Sequence, residues 1–293
     1  MCIRDRRRVR FDRGSLSSLI RFGTWTTISN LVGPLMVYLD RFLIGGMVSM
    51  AAVAYYVTPY EVVTKLWVVP AGLLGVLFPA FATSFLADRE HTSRLFRRSV
   101  RLMLLVMFPV TLVLVAMAPE GLRLWLGSEF AANSTVVLRW LAIGVFVNCV
   151  AQVPYTALQG IGRPDLTAKL HLLELPAYLL LLWVLVGRFG IEGAAGAWVL
   201  RIGVDAVALF TLASRPLMDA NSVARQVLLP LVLSVVVLCI PLALSGPGAR
   251  ALFTVAVLAT FLPLAWTRAF DRNERAALLV LLRRRPGGSA YPL

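Results

Sequence analysis

The chain has 293 residues, of which 59% are hydrophobic and only 15% are charged, and its mean hydropathy is +0.79. Soluble domains carry about a quarter of their residues as charged side chains, so this composition excludes a soluble globular protein and makes the lipid bilayer the main solvent. The net charge is +14, but the basic residues stand between apolar runs, which argues for a membrane topology and against a nucleic-acid partner.

Apolar runs follow one another along the chain, each long enough to cross a hydrocarbon core of about 30 Å as a helix. Eight such runs are found, at residues 22–39, 51–86, 102–118, 136–158, 166–186, 193–213, 227–244 and 251–266. The prediction is an all-α fold, a polytopic transmembrane helical bundle of about eight spans.

Lys and Arg residues are concentrated in alternate connections between these runs. The N-terminal arm, segment 87–101, turn 160–169, link 214–226 and the tail hold seven, five, two, two and six of them, whereas the four other connections hold five in all. Cytoplasmic loops carry the excess of Lys and Arg, and an even number of spans returns the chain to its starting side. Both termini are therefore predicted to be cytoplasmic.

The two ends of the chain require separate treatment. The opening MCIRDR back-translates to a sequence like the end of a transposon-type sequencing adapter, so we exclude it from the fold and expect the gene to continue upstream. Segment 271–285 alternates Arg and Glu with Ala, Leu and Val before a Pro-Gly-Gly stop. This pattern predicts a short amphipathic helix on the inner leaflet, where anionic lipid favours it.

The second run is too long for one upright helix. It contains Pro59, Pro70 and Pro79, and each proline removes a backbone hydrogen bond. We therefore expect this run to be kinked or broken. Harmless kinks are common in membrane helices, and broken helices also form transport sites, so both interpretations stay open.

Two pairs of opposite charges lie inside predicted spans, Glu61 with Lys65 and Arg201 with Asp205. Each pair is spaced four residues apart and shares one helical face. One interpretation is a self-neutralising pair without a ligand. The other is a vestibule for an anionic, sugar-bearing lipid, with the cations as phosphate partners and the carboxylates binding H⁺ or Na⁺.

Three further ionisable residues occur at or inside spans. Asp40 and Arg41 follow Tyr38 at the outer end of the first run, and Glu174 stands among leucines one turn after His171. An isolated buried carboxylate is suited to carrying a proton. Pairing of Glu174 with Arg201 or Lys65 on another helix is the alternative.

One face of the fourth run is polar, because Asn148, Gln152, Tyr155 and Gln159 step by four, three and four residues. Such a face either hydrogen bonds to another helix or forms a sugar-facing cavity wall. Among the aromatic residues near Glu61, Tyr55 and Tyr56 are assigned to an interfacial belt because they lie near a span end. Tyr60 is the better candidate for a cavity.

Catalytic residues are poorly represented outside the spans. The longest outward connection, 119–135, offers only Glu120, Arg123 and Glu129 as charged groups, and the two histidines are His91 and His171. There is no Gly-rich phosphate loop. Cys149 and Cys239 lie in apolar runs, and neither disulfide pairing nor metal-ligand spacing is suggested. We expect no enzyme activity, no metal and no cofactor.

Four stretches together carry a resemblance to a known family. They are FGTWTTISNLVGPLMVYLDRFLIGG, AAVAYYVTPYEVVTKLWVVPAGLLGVLFPAFA, LWLGSEFAANS and VPYTALQGIGRPDLTAKLHLLELPAYLLLLWVLVGRFGIEGAAGAWVLR. In order and spacing they resemble the bacterial Wzx-type polysaccharide flippases of the multidrug/oligosaccharidyl-lipid/polysaccharide exporter superfamily. The resemblance covers roughly residues 22–213, and beyond it only hydropathy agrees.

The resemblance implies two six-helix lobes plus two appended helices, which alternate between inward-open and outward-open states. They move an undecaprenyl-diphosphate-linked sugar across the cytoplasmic membrane for O-antigen, lipopolysaccharide or other surface polysaccharide. On this view the chain is the C-terminal portion and its first lobe is missing. The expected parts are a leader and basic arm (1–21), a six-span lobe (22–213), two additional spans (214–267) and a basic tail (268–293).

The resemblance also suggests roles for individual residues. Arg41, Lys65 and Arg201 are the candidates for diphosphate contact, with Tyr60, Asn148 and Gln152 as further substrate-binding residues. Asp40, Glu61, Glu174 and Asp205 are the candidates for ion coupling or for holding those cations. The alternatives are a drug or peptidoglycan-precursor exporter of the same superfamily, and a membrane-bound polysaccharide polymerase or glycosyltransferase.

Overall fold

A computed structural model describes residues 13–217 and 224–269, and within these ranges the chain consists of helices and short connections. The helices are α1 (Arg13–Met47), α2 (Met50–Thr64), α3 (Val68–Ala87), α4 (Arg89–Ala116), α5 (Ala118–Leu126), α6 (Ser128–Gly160), α7 (Pro164–Leu217), α8 (Leu229–Ala243) and α9 (Pro247–Ala269). The prediction of an all-α polytopic bundle is confirmed. The predicted leader and the predicted helix at 271–285 lie outside the described residues.

Six helical segments of the described chain are long and apolar enough to cross a membrane. They are Met50–Phe85, Arg89–Ala116, Ser128–Gly160, Pro164–Arg215, Arg225–Ala243 and Pro247–Ala265. Two elements account for the difference from the eight predicted runs. The segment Pro164–Arg215 contains two runs, and α1 covers the first run but includes polar residues such as Asn30 and Asp40 that lower its hydropathy.

The long helix α7 turns back on itself at Gly190. This residue has φ 58° and ψ −134°, a left-handed conformation that glycine adopts without steric penalty. Just beyond the turn, a Cβ atom on Gly193 would lie 2.0 Å from the carbonyl oxygen of Leu185. Glycine at this position therefore allows the two arms to approach each other closely next to the turn. Residues 164–189 and 191–217 are thus two antiparallel arms, which correspond to the fifth and sixth predicted runs.

The second predicted run is broken, as expected. A 3₁₀ segment, Lys65–Trp67, separates α2 from α3. Pro70 lies at the start of α3 and cannot donate a hydrogen bond to the carbonyl of Leu66, and its ring crowds that carbonyl. The backbone tightens into 3₁₀ geometry where this helical bond is lost.

Helix α6 lies at the centre of the bundle, in contact with α2, α3, α4, α5 and α7, while α8 and α9 pack on α4. The contact between α6 and α7 depends on Gly144. A Cβ atom there would lie 2.4 Å from the ring of Trp198, so glycine lets the indole pack directly on the α6 backbone.

Two connections are more helical than the sequence indicated. The predicted outward loop 119–135 contains α5 and the first turns of α6. Helix α1 continues to Met47, so Asp40 and Arg41 lie inside the helix and not at the end of a span. The apolar run ends at residue 39, because Asp40 and Arg41 are charged, but the helix continues through both of them.

Candidate functional site

A cavity of about 610 Å³ opens between α1, α6, the two arms of α7 and the break between α2 and α3. Its polar lining residues are Asn30, Asn148, Gln152, His171, Arg201 and Asp205, and its aromatic lining residues are Tyr38, Trp67, Tyr155 and Trp198. A volume of this size matches that of small-molecule sites. The combination of amides, one guanidinium and aromatic rings suits a polar ligand that bears sugar and phosphate groups.

The polar face predicted on α6 lies on this cavity. Asn148, Gln152 and Tyr155 line it, whereas Gln159, the fourth member of the predicted face, is not part of the lining. The side-chain oxygen of Asn148 is buried and has no hydrogen-bond partner among the described residues. This amide can therefore accept a hydrogen bond from a ligand or from water.

Arg201 occupies the second arm of α7 and reaches the other arm. Its Nη1 atom lies 4.0 Å from Oε2 of Glu174 and 2.8 Å from Sδ of Met36. The guanidinium carbon lies 5.3 Å from the centre of the Tyr178 ring, within the range of a cation–π interaction. These contacts orient the guanidinium at the wall of the cavity.

Asp205 lies one turn after Arg201 and also contacts the first arm. Its Oδ1 atom lies 3.7 Å from Nε2 of His171, and the imidazole stacks on Tyr155 with ring centres 5.9 Å apart. The carboxyl groups of Glu174 and Asp205 lie close to each other and both lie near Arg201. With both carboxyl groups ionised the cluster carries one net negative charge, so it is neutral only when a proton or a monovalent cation is added to it.

Neither predicted intrahelical pair, Glu61 with Lys65 or Arg201 with Asp205, forms a direct ion pair among the described residues, so each arginine or glutamate that does pair takes its partner from another helix or arm. Glu61 accepts a hydrogen bond from Nη2 of Arg41 at 2.9 Å, across α1 and α2. Lys65 is exposed and has no ion pair within the described residues. Arg201 is closest to Glu174 on the other arm and not to Asp205, which agrees with the interhelical alternative for Glu174.

Asp40 is fully buried between α1 and α2. The hydroxyl of Tyr56 donates a hydrogen bond of 2.6 Å to Oδ2 of Asp40, while Oδ1 has no partner among the described residues. The assignment of Tyr56 to an interfacial belt is therefore wrong, because its side chain is 1% exposed and serves a buried carboxylate. Tyr55 remains near a helix end, with its hydroxyl 3.1 Å from Glu129.

Tyr60 lies behind the cavity wall. Its ring centre is 5.9 Å from that of Trp198 and 6.5 Å from that of Trp67, both of which line the cavity. The guanidinium carbon of Arg41 lies 5.6 Å from the Tyr60 ring centre and 5.1 Å from that of Tyr38. Tyr60 therefore supports the aromatic wall and does not face a ligand directly.

The structure thus brings most of the predicted site residues into one region. Three of the predicted substrate-binding residues (Asn148, Gln152, Arg201) and one of the predicted ion-coupling residues (Asp205) line the cavity. Arg41 and Glu174 contact the lining residues Tyr38 and Arg201. Glu61 binds Arg41 and Asp40 binds Tyr56, so both lie farther from the cavity, and Lys65 is not part of the lining. Within the described residues no group of three His, Cys, Asp or Glu side chains could hold a metal ion.

The sequence interpretation missed Trp198 and Asn30, and it noted Trp67 only as one of the aromatic residues near Glu61, which fit either a sugar-binding cavity or an interfacial belt. Trp67 follows Tyr60 by seven residues, and Trp198 precedes Arg201 by three, so each shares a helical face with a residue that was already a candidate. That spacing was available in the sequence. Only the fold, however, shows that both faces meet at one cavity.

The fold is similar to that of a solved transporter of the multidrug/oligosaccharidyl-lipid/polysaccharide exporter superfamily from Pyrococcus furiosus, with a TM-score of 0.57 and 19% sequence identity over 91% of this chain and 59% of that chain. At this level of identity the match shows the fold alone.

Sequence comparisons identify a matching family model and two relatives of this chain. A family model described as "Polysaccharide biosynthesis protein" matches residues 1–135. A protein of Shigella flexneri named "Putative O-antigen transporter" is 35% identical over 207 residues, which are 71% of this chain and 49% of that protein. A protein of Haloferax volcanii named "Probable low-salt glycan biosynthesis flippase Agl15" is 24% identical over 191 residues, 65% of this chain and 40% of that protein.

These matches confirm the resemblance found in the sequence, because the proteins to which the chain is similar are named as an O-antigen transporter and a glycan biosynthesis flippase. It spans about half the length of the curated relatives that it matches.

Proposed function

We propose that this chain is part of a flippase that moves undecaprenyl-diphosphate-linked oligosaccharide across the bacterial cytoplasmic membrane for surface polysaccharide biosynthesis. The observation that carries this proposal is the cavity in which Arg201 stands among amide and aromatic side chains. The names of the two relatives support a polysaccharide flippase over the drug-exporter and polymerase alternatives. Transport proceeds by alternating access and needs no covalent chemistry, cofactor or metal.

The cationic residues are the proposed partners of the lipid diphosphate. Arg201 is the best placed, because it lines the cavity and its planar guanidinium can bind two phosphate oxygens at once. Arg41 lies behind Tyr38 and becomes available if its hydrogen bond to Glu61 opens. Lys65 is exposed at the break between α2 and α3, and it reaches a ligand only if that break moves.

The neutral residues are the proposed sugar contacts. Asn148 and Gln152 offer both hydrogen-bond donors and acceptors to sugar hydroxyls, and the partly exposed Trp67 presents an apolar ring surface on which a sugar can stack. Tyr60 packs against Trp67 and against the buried Trp198 and so supports this wall of the cavity. Because none of these side chains is charged, this part of the cavity suits the glycan and leaves the diphosphate to the arginines.

The acidic residues are the proposed sites of ion coupling. Glu174 and Asp205 share Arg201, so a proton or Na⁺ bound to them compensates the remaining negative charge. A diphosphate that attracts Arg201 away from Glu174 removes part of the positive charge that compensates the two carboxyl groups. These groups then bind the proton or Na⁺ more tightly, which couples substrate binding to ion binding. Asp40 accepts a hydrogen bond from Tyr56, and Glu61 accepts one from Arg41, so these two carboxylates hold side chains of α1 and α2 next to the cavity.

The arrangement in the membrane is also proposed. Both termini are cytoplasmic, residues 22–213 form one transport lobe, and α8 and α9 are the appended pair. A preceding lobe of the same protein supplies the other wall of the vestibule, and the surrounding partner is membrane lipid. The chain by itself is therefore expected not to transport.

Complementation with the gene extended upstream tests this proposal. A strain that lacks its own flippase would receive the extended gene, and surface polysaccharide would be measured by gel and immunoblot. We expect Arg201→Gln to abolish export while membrane insertion persists. Arg188→Gln, at an exposed position of the same helix, is the matched control and should export normally. Normal export by Arg201→Gln would contradict the assignment of this residue.

A further inference from the structure

A second polar cluster lies at the end of the bundle where α4 and α8 end, away from the basic segment 87–101. It consists of Glu120 of α5, Arg139 of α6 and Arg250 of α9. Both arginines are 9% exposed, which is rare for this residue type. None of the three residues lines the cavity described above.

The contacts within this cluster leave several polar atoms unsatisfied. Nη2 of Arg250 pairs with Oε1 of Glu120, and Nη1 of Arg250 donates to the carbonyl of Leu244 at 3.4 Å. Nε of Arg139 donates to the carbonyl of Val115 at 3.1 Å. Nη2 of Arg139, Nε of Arg250 and Oε2 of Glu120 are buried without a hydrogen-bond partner among the described residues, so two donors face one free acceptor. Two guanidinium groups therefore still have donors to offer.

The charges of the cluster do not balance. Arg139 and Arg250 repel each other, and Glu120 is the carboxylate that attracts both. The carbonyl groups at the ends of α4 and α8 add partial negative charge, but they accept bonds from other nitrogen atoms of the same arginines. An oxyanion would supply the missing charge and would accept the remaining N–H donors together.

The neighbouring helix α5 places this cluster at the membrane surface. Leu124 is 92% exposed and Trp125 is 63% exposed, while Ala118 and Leu122 on the opposite side are buried. Exposed tryptophans of membrane proteins concentrate at the interface, and amphipathic helices lie at the boundary between acyl chains and headgroups. The two guanidinium groups are therefore at the depth of lipid phosphates.

We propose that Arg139 and Arg250 bind the phosphate of an anionic membrane phospholipid at this position. The bound phosphate joins α6 of the lobe to α9 of the appended pair, and the acyl chains lie along the exposed side of α5. This site is separate from the transport cavity, and it does not depend on the proposed function.

Lipid binding to the purified chain in detergent tests the proposal. Native mass spectrometry and thermal unfolding would be recorded with phosphatidylglycerol, phosphatidylcholine or inorganic phosphate as the added probe. We expect phosphatidylglycerol to bind and to raise the unfolding temperature more than either other probe does. Arg139→Gln should weaken this binding about ten- to hundredfold, as expected for loss of a charge-assisted hydrogen bond.

Two further variants guard against an effect of misfolding. Arg188→Gln removes the same charge from an exposed position on α7, outside the cluster and outside the exposed side of α5, and should leave binding unchanged. Glu120→Gln removes the competing carboxylate and should tighten binding about two- to fivefold, which a misfolded protein would not show. An equal loss with Arg188→Gln, unchanged binding in Arg139→Gln, or an equal response to inorganic phosphate would each overturn the proposal.

Discussion

The guanidinium group of Arg201 lies 4.0 Å from the carboxylate of Glu174 on the opposite arm of α7, although Asp205 follows it by one turn on its own arm. The hairpin at Gly190 makes this relationship possible, because it folds residues 164–189 back against residues 191–217. Arg201 is therefore the central charge of a cluster in which it is outnumbered by carboxyl groups.

Removal of Arg201 should be more destabilising than removal of Glu174. Arg201→Met leaves two buried carboxyl groups without their cation, and loss of one partner of a buried pair costs about 3–5 kcal/mol. Glu174→Gln leaves Arg201 with Asp205 nearby and should cost clearly less. The free energy of unfolding of the purified variants in detergent measures the difference. Equal losses for the two variants would show that Asp205 does not interact with Arg201.

Tyr56→Phe should destabilise the bundle by about 1–3 kcal/mol, because it leaves the buried carboxylate of Asp40 without its hydrogen bond. Tyr55→Phe is the matched control. Its hydroxyl contacts Glu129 at an exposed position, so its loss should stay within about 0.5 kcal/mol. Thermal unfolding in the same detergent compares the two. A smaller effect for Tyr56→Phe than for Tyr55→Phe would argue against the burial of Asp40.

Gly144→Ala should be destabilising by about 1–3 kcal/mol, because the added methyl group would overlap the Trp198 ring. Gly196→Ala, in a helical position with nothing within 4 Å of its Cβ, should be neutral or slightly stabilising. Unfolding midpoints and tryptophan fluorescence follow both changes. A tolerated alanine at 144 would mean that α6 and α7 are farther apart than described.

Asp88 should make the start of α4 sensitive to acid. The backbone N–H of His91 donates a 2.9 Å hydrogen bond to its carboxylate, and this bond lowers the pKa of Asp88 below the ordinary value of 3.8. A lowered pKa stabilises the folded state above the unfolded pKa, and that contribution is lost as the pH falls through the folded pKa. Asp88→Asn keeps the cap and should flatten the acid limb of a pH–stability profile. An unchanged acid limb would show that Asp88 does not cap α4.

How much of the structure could be predicted depends on how far apart in the sequence the interacting residues lie. Apolar runs and proline positions are local features, so the spans and the break before Pro70 were predictable. The helical turn at the start of α6 was missed because Ser128 to Thr135 is polar and resembles a loop. The end of α1 was misplaced for the same reason, since Asp40 and Arg41 interrupt the apolar pattern.

Partners across helices were much harder to predict. The spacing of Glu61 and Lys65 fits an intrahelical pair as well as it fits two separate roles, and only the packing of α1 on α2 selects Arg41 as the partner of Glu61. Tyr56 looked interfacial from its place in the run, yet Asp40 draws it inside. Three of the four residues of the predicted polar face of α6 line the cavity, and they could be grouped because they share one helix, whereas Trp198 belongs to another helix and joins the site through the fold.

A transport assay tests the central claim most directly. The protein encoded by the upstream-extended gene would be reconstituted in liposomes with an undecaprenyl-diphosphate-linked oligosaccharide, and an impermeant glycan-modifying enzyme would measure how much of the lipid reaches the outer leaflet. The account predicts that the extended protein accelerates translocation, and that both its Arg201→Gln variant and the 293-residue chain alone do not. Translocation that is no faster than in protein-free liposomes, or that is unaffected by Arg201→Gln, would contradict it.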